Sequence, residues 1–184
     1  MQRYPDNPRL VSVDFLKTLD AEPAGRWLAQ PKLDGWRRMA WKTHGKWHYQ
    51  AKHESGPAAR SLPADLQAEF EGLNWPEGIG LDMEWMGTRA QAGEHSLHIF
   101  DLFAFDDAWA GQSPFSQRYI LLSALMDARR TERVRMVPLY ENPGLLDRFT
   151  EQMTNPLSEG LVLRRADSTL IGHTRRCADN PLML

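Results

Sequence analysis

The sequence predicts an α+β domain built of mainly antiparallel sheets with flanking helices. Three observations point there. Strand-like apolar runs alternate with helical patterns along the chain. His44-Gly45 stands between two strand-like runs, a hairpin signal that implies antiparallel pairing. Leu66, Phe70 and Leu73, and again Tyr119, Leu122, Leu125 and Met126, recur at helical spacing.

The elements follow in order. Residues 1–24 are rich in proline and polar groups and are expected to wrap a body more than to build one. Residues 26–30 read as a strand leading to Lys32. Residues 37–42 and 46–51 read as the paired strands of the hairpin. Residues 63–73 read as a helix with Pro63 near its start. Residues 79–85 and 97–103 look like buried strands, and 115–130 carry the longest helical pattern. A short strand over 134–139, a helix over 144–153 and a last strand over 161–164 complete the order.

A length of 184 residues allows one domain with a real core, or two small subdomains. The 42% hydrophobic and 25% charged content is that of a soluble globular protein. Seven tryptophans suggest ring-lined surfaces as well as core. A net charge of −2 gives no bulk sign of a nucleic-acid binder, although a local basic groove can sit on a neutral protein. Cys177 is the one cysteine, which excludes an internal disulfide and fits a reducing compartment. The first residues lack the apolar run of a signal peptide, and no stretch has membrane-spanning length. The expectation is a soluble cytoplasmic protein.

Four stretches carry candidate chemistry. The first is Gln30-Pro31-Lys32-Leu33-Asp34-Gly35-Trp36-Arg37. A lysine attacks only as the neutral amine, so Lys32 needs a depressed pKa, which nearby cations such as Arg37, Arg38 or a metal supply. The second is Asp82-Met83-Glu84, whose carboxylates share one face of an extended strand. The third is Ile99-Phe100-Asp101-Leu102, with a ring able to stack on a nucleobase. The fourth is Glu159-Gly160 at the head of an apolar strand, an acid suited to a divalent metal with phosphates. Each has a plainer alternative: a charged turn, a wet edge strand, a core phenylalanine, an ordinary strand start.

Their order resembles that of the covalent nucleotidyltransferases, the superfamily of ATP-dependent DNA ligases, RNA ligases and mRNA capping enzymes. Lys32-Leu-Asp34-Gly35-Trp-Arg37 is similar to its first motif, Lys-x-Asp-Gly-x-Arg. Asp82-Met83-Glu84 resembles the third, with Met83 in place of glycine, and Ile99-Phe100-Asp101-Leu102 resembles the motif after it. Glu159-Gly160-Leu-Val-Leu-Arg164 resembles the fourth, and Arg118 ahead of an apolar helix is a common ligase feature. The resemblance covers residues 26–176 and implies the α+β nucleotidyltransferase (ATP-grasp-like ligase) fold. It implies that Lys32 takes AMP from ATP as a phosphoramidate, passes it to a 5′-phosphate end, and that a 3′-hydroxyl then seals the strand. Arg37 and Glu84 would contact the ribose and phosphate region, Phe100 would stack on adenine, and Glu159, assisted by Asp34, would hold Mg2+. Gln30 would read the adenine amino group, as in phage DNA ligases, favouring ATP over GTP. The implied partner is nicked double-stranded nucleic acid, DNA above RNA, bound by a monomer. A capping guanylyltransferase and a non-catalytic nucleotide- or nucleic-acid-binding module are the alternatives.

Two departures stand against the pattern. The motif between the first and third carries Arg-x-Gly, but this chain has His53-Glu54-Ser55-Gly56; either the match is out of step locally, or Lys52, His53 or Arg60 takes over phosphate binding. The fifth motif, Lys-x-Lys or Lys-x-Arg, is expected after the Gly172-His173-Thr-Arg175-Arg176 loop, yet the chain reads Asn180-Pro181-Leu182-Met183-Leu184. Residues 1–184 are therefore expected to form an adenylyltransferase domain truncated before the fifth motif, without the OB-fold domain. The pair His95 and His98, at His-x-x-His spacing, is a weak metal signal. The basic run Arg129, Arg130, Arg133 and Arg135 fits a solvated helix end better than a nucleic-acid contact.

Overall fold

The computed structural model describes residues 9–51, 61–87, 94–170 and 182–183. They fold as two compact units. Unit one draws on Met1–Asp34, Ser113–Ser116 and Val137–Leu184, and unit two on Gly35–Gln112 and Gln117–Met136. The architecture is α+β, as the sequence predicts.

Unit one is built on a five-stranded sheet. Its strands are β1 (Arg9–Leu10), β2 (Trp27–Leu33), β9 (Tyr140–Glu141), β10 (Ser158–Arg165) and β11 (Leu182–Met183), in the order β1-β11-β10-β2-β9. Helices α1 (Val13–Asp20) and α4 (Leu145–Met153) belong to the same unit. Its core joins Leu16 and Leu19 from α1, Ala29 from β2, Leu145 from α4, and Leu161 and Leu163 from β10. The expectation that residues 1–24 wrap a body more than build one is therefore corrected for residues 12–20, which supply a capped helix and part of the core. Ser12 caps α1 by accepting from Phe15 N at 3.2 Å, and Leu16 and Leu19 share one buried helix face. The polar composition of the segment hid a short amphipathic helix.

Side chains far apart in sequence finish this unit. Asn142 is 2% exposed; its amide donates to the carbonyls of Leu19, Glu22 and Pro23 and its oxygen accepts from Trp27 N at 2.9 Å. The Asp20 carboxylate accepts from the first amides of α4, Gly144, Leu145 and Leu146, at 2.9–3.1 Å. A carboxylate there complements the helix dipole.

Unit two is built on a six-stranded sheet. Strands β3 (Trp36–Thr43), β4 (Lys46–Ala51), β5 (Gly80–Met86), β6 (Ser96–Phe105) and β7 (Ala108–Trp109) run in the order β4-β3-β5-β6-β7, and β8 (Val134–Met136) pairs parallel to β6. Helices α2 (Ala64–Glu71) and α3 (Phe115–Met126) flank it in the chain. The β3–β4 hairpin turns at His44 (φ 52°) and Gly45 (φ 71°), the left-handed pair that matches sheet twist. Leu66, Phe70, Leu81, Met83, Leu97, Ile99, Leu102 and Leu122 are among its core residues. Phe70 sits in a ring cluster, 4.8 Å from Trp47 and 5.3 Å from Trp75 between centroids.

Several boundaries differ from expectation. The helix expected over 115–130 ends at Met126, the strand expected over 134–139 ends at Met136, and the last strand begins earlier, at Ser158. The basic run is tied into unit two. Arg133 pairs with Asp65 and Glu69, and Arg129 donates to the carbonyls of Asn74 and Leu125.

Candidate functional site

Lys32 lies near the end of β2, where the buried run Leu28–Pro31 gives way to half-exposed residues. Its neighbour β10 breaks register there. Leu161 pairs with Pro31 but Ser158 pairs with Leu33, so Glu159 and Gly160 together stand opposite Lys32. This is a β-bulge, and Gly160 makes it possible by taking φ 124°, a backbone state costly for other residues. The Ser158 hydroxyl accepts from Gly160 N at 3.3 Å and donates to Gly160 O at 3.0 Å, closing the bulge on itself. The consequence is chemical. The Lys32 ammonium donates directly to the Glu159 carboxylate, with side chains 26% and 43% exposed. Two motifs separated by 127 residues thus meet as one cation–carboxylate pair.

Gln30 sits two residues earlier on β2, opposite Val162 and 3% exposed. Asp34 follows β2, and its amide donates to Leu157 O at 3.1 Å. Gln30, Lys32, Asp34 and Glu159 all belong to unit one.

Arg37, Glu84 and Phe100 belong to unit two. Leu81, Met83 and Trp85 of β5 enter the core, which sends Asp82 and Glu84 to the opposite face, as expected. In register, Arg37 stands beside Glu84, Glu84 beside His98, and His98 beside Arg135, a polar row across four strands. Arg37 itself grips Asp82, with Nε to Oδ1 at 2.9 Å and the second nitrogen to Oδ2 at 2.5 Å. Asp82 is 1% exposed, and the paired guanidinium is what makes a buried carboxylate tolerable. Gly35 allows β3 to approach β5: a Cβ there would lie 2.6 Å from Trp85 O and 2.8 Å from Glu84 Cγ.

Phe100 is half-exposed, which the plainer core reading did not anticipate. Alternation after core-facing Leu97 and Ile99 sends its ring to the other face, and a second bulge begins at that residue. Asp82 pairs with Asp101 and Met83 with Ile99, leaving Phe100 as the extra residue of β6. A third irregularity, between Gly80 and Leu81, leaves Phe103 extra in the same way. Core-facing positions therefore shift from Leu97 and Ile99 to Leu102 and then to Phe105. The Arg37 guanidinium lies over the Phe100 ring, 5.3 Å from its centroid. His98 is neutral near pH 7, because burial, and to a lesser degree Arg135, pushes its pKa down to about 4.

Arg118, singled out by the sequence, has a partner that only the fold reveals. It donates to both oxygens of Asp101 at 2.9 Å, and both side chains are about 2% exposed or less. The readings at Lys52, His53, Glu54, Ser55, Gly56 and Arg60, at Gly172–Arg176 and at Cys177 lie outside the described residues. Among the described residues, no group of three or more His, Cys, Asp or Glu side chains is placed to hold a metal. His95 accepts from the Trp85 indole at 3.3 Å and His98 bonds the Ser96 hydroxyl at 3.0 Å. Among the described residues, no helix is long and apolar enough to cross a membrane.

No protein-family model and no curated protein sequence matches the chain. Solved structures do. The mycobacterial DNA ligase D complexed with ATP and MES matches at TM-score 0.64 and 20% identity, covering 85% of this chain and 53% of that one. The Chlorella virus DNA ligase-adenylate matches at TM-score 0.62 and 15% identity, covering 96% and 66%. An archaeal ATP-dependent RNA ligase matches at TM-score 0.55 and 13% identity, covering 98% and 47%. The chain spans about half to two thirds of the length of these structures. Its fold is the one these DNA and RNA ligase structures share.

Proposed function

We propose that residues 1–184 are the adenylyltransferase domain of an ATP-dependent polynucleotide ligase that acts on nicked DNA. The observation that carries this reading is the Lys32–Glu159 pair, built by a strand bulge on a ligase-type fold. In the proposed reaction the deprotonated Lys32 Nζ attacks the α-phosphorus of ATP. An N–P bond forms, the bond to the bridging oxygen of the β-phosphate breaks, and pyrophosphate leaves. AMP then passes from Lys32 to a 5′-phosphate, and a 3′-hydroxyl displaces it to seal the nick.

Gln30, with donor and acceptor on one amide, suits the adenine edge. Phe100 offers its ring to the base, and Arg37 and Glu84 serve the ribose and phosphate region. The donors suit a hard divalent cation. Glu159 is exposed and Asp34 lies two residues from Lys32, and magnesium is usually held by one or two carboxylates with substrate phosphates completing its shell. When bound, magnesium would neutralise the charge that an attacking amine meets on a polyphosphate. A carboxylate beside Lys32 also holds its ammonium in place until a base or solvent removes the proton.

The test is covalent labelling. The protein is incubated with magnesium and α-labelled ATP or GTP, and an acid-labile, base-stable adduct is sought. Label from ATP that vanishes in Lys32→Ala is the expected result. Label from GTP alone would indicate a capping guanylyltransferase, and no label from either nucleotide would indicate a non-catalytic binding module. RNA ligation is the second reading, supported by the fold shared with the archaeal RNA ligase. Nicked duplexes with DNA or RNA on each side of the nick separate the two; faster sealing of the all-DNA nick is expected.

A further inference from the structure

The Phe100 bulge needs something to hold it. An extra residue takes backbone groups out of the β5–β6 ladder, and a bulge persists only where other bonds satisfy them. Asp101, the next residue, meets that need. Its Oδ1 accepts from Leu102 N at 2.8 Å, across the step where the core-facing parity of β6 changes. The same carboxylate is gripped from α3 by both donors of Arg118 at 2.9 Å. Asp101 and Arg118 are 1% and 2% exposed, so neither charge has water as an alternative partner. Opposite Asp101 in register is Asp82, whose own arginine, Arg37, lies over the Phe100 ring. One buried pair, Asp101–Arg118, and one partly exposed pair, Asp82–Arg37, thus bracket one outward ring.

We infer that Asp101 and Arg118 are positioning residues for the nucleobase: their buried ion pair pins the β6 bulge in which Phe100 stands and so holds the pose of its outward ring. Neither residue touches the nucleotide in this account. Both act through the orientation of Phe100, so the inference rests on the proposed stacking of that ring on adenine.

A double-mutant cycle tests it. Equilibrium binding of α,β-methylene-ATP, which cannot transfer AMP, is measured for Phe100→Ala, Asp101→Asn, Arg118→Lys and the Phe100→Ala/Asp101→Asn pair, each checked for folding by near-UV circular dichroism. Phe100→Ala is expected to weaken binding about 10-fold. Asp101→Asn should weaken it by a similar factor, and the double variant should be no weaker than Phe100→Ala alone. Arg118→Lys keeps the charge but loses the two-pronged grip, and should fall between wild type and Asp101→Asn. In covalent labelling, the KM for ATP should rise while the rate at saturating ATP holds, a split that simple loss of folded protein does not give. If Asp101→Asn does not fold, Arg118→Lys combined with Phe100→Ala completes the cycle. Wild-type affinity in folded Asp101→Asn and Arg118→Lys overturns the inference, as does a double variant about 100-fold weaker, the product of independent losses. If Phe100→Ala alone binds normally, the stacking reading itself is wrong, and the inference falls with it.

Discussion

At the scale of single residues, the candidate chemistry hangs on two backbone irregularities. Gly160 holds φ 124° so that Glu159 and Gly160 together face Lys32. Gly160→Ala should cost about 1–3 kcal/mol and shift Glu159 away from Lys32. Urea unfolding reads the first effect and the rate of AMP labelling the second; a variant unchanged in both would show that the bulge has no part in the site. His98 makes a separate prediction. Its neighbours in register are Glu84 on β5 and Arg135 on β8, and it stays neutral in the folded protein down to a pKa of about 4. The unfolded chain protonates it near its ordinary value of about 6.5. Between those values the unfolded state binds more protons, so this contribution is full above about pH 6.5 and is lost as pH falls toward 4. The loss amounts to up to about 3 kcal/mol. His98→Gln should flatten that part of the profile, measured as the difference in unfolding free energy between pH 7 and pH 4.5 for the two proteins.

At the scale of elements, hairpin and helix signals were legible because they are local. His44-Gly45 announces its turn, and Leu66 and Phe70 announce the buried face of α2. Helix α1 was missed because only two of its residues, Leu16 and Leu19, are fully buried, within a proline- and polar-rich segment. The cap of α4 was equally invisible. Gly144 has no capping side chain, and the acceptor is Asp20, 124 residues earlier in the chain. Asp20→Ala leaves three helix-terminal amides without that acceptor and removes a charge favourable to the dipole. A loss of about 1–2 kcal/mol is expected in chemical denaturation, with Asp20→Asn recovering part of it.

At the scale of the whole molecule, two sheets carry two separate cores, one centred on α1, β2, α4 and β10 and the other on β3, β5, β6 and their helices. Phe70 is fully buried among Trp47, Tyr49 and Trp75, so several of the seven tryptophans and their neighbours serve as core. Phe70→Ala should cost about 3–5 kcal/mol in thermal or urea unfolding, because a ring-sized void has little chance to collapse among rigid aromatic partners.

The sequence by itself determined which chemical groups are available and their order: a lysine before Asp34-Gly35, a carboxylate pair at Asp82 and Glu84, a ring at Phe100, an acid at Glu159. It also determined the fold class, because turns, helix faces and strand runs are written locally. Only the tertiary structure decided which groups meet. That Lys32 finds Glu159, that Arg37 grips Asp82 and that Asp101 faces away from the core to meet Arg118 all depend on strand register. Register is a property of two strands together, and a single extra residue in one of them moves every later side chain to the other face.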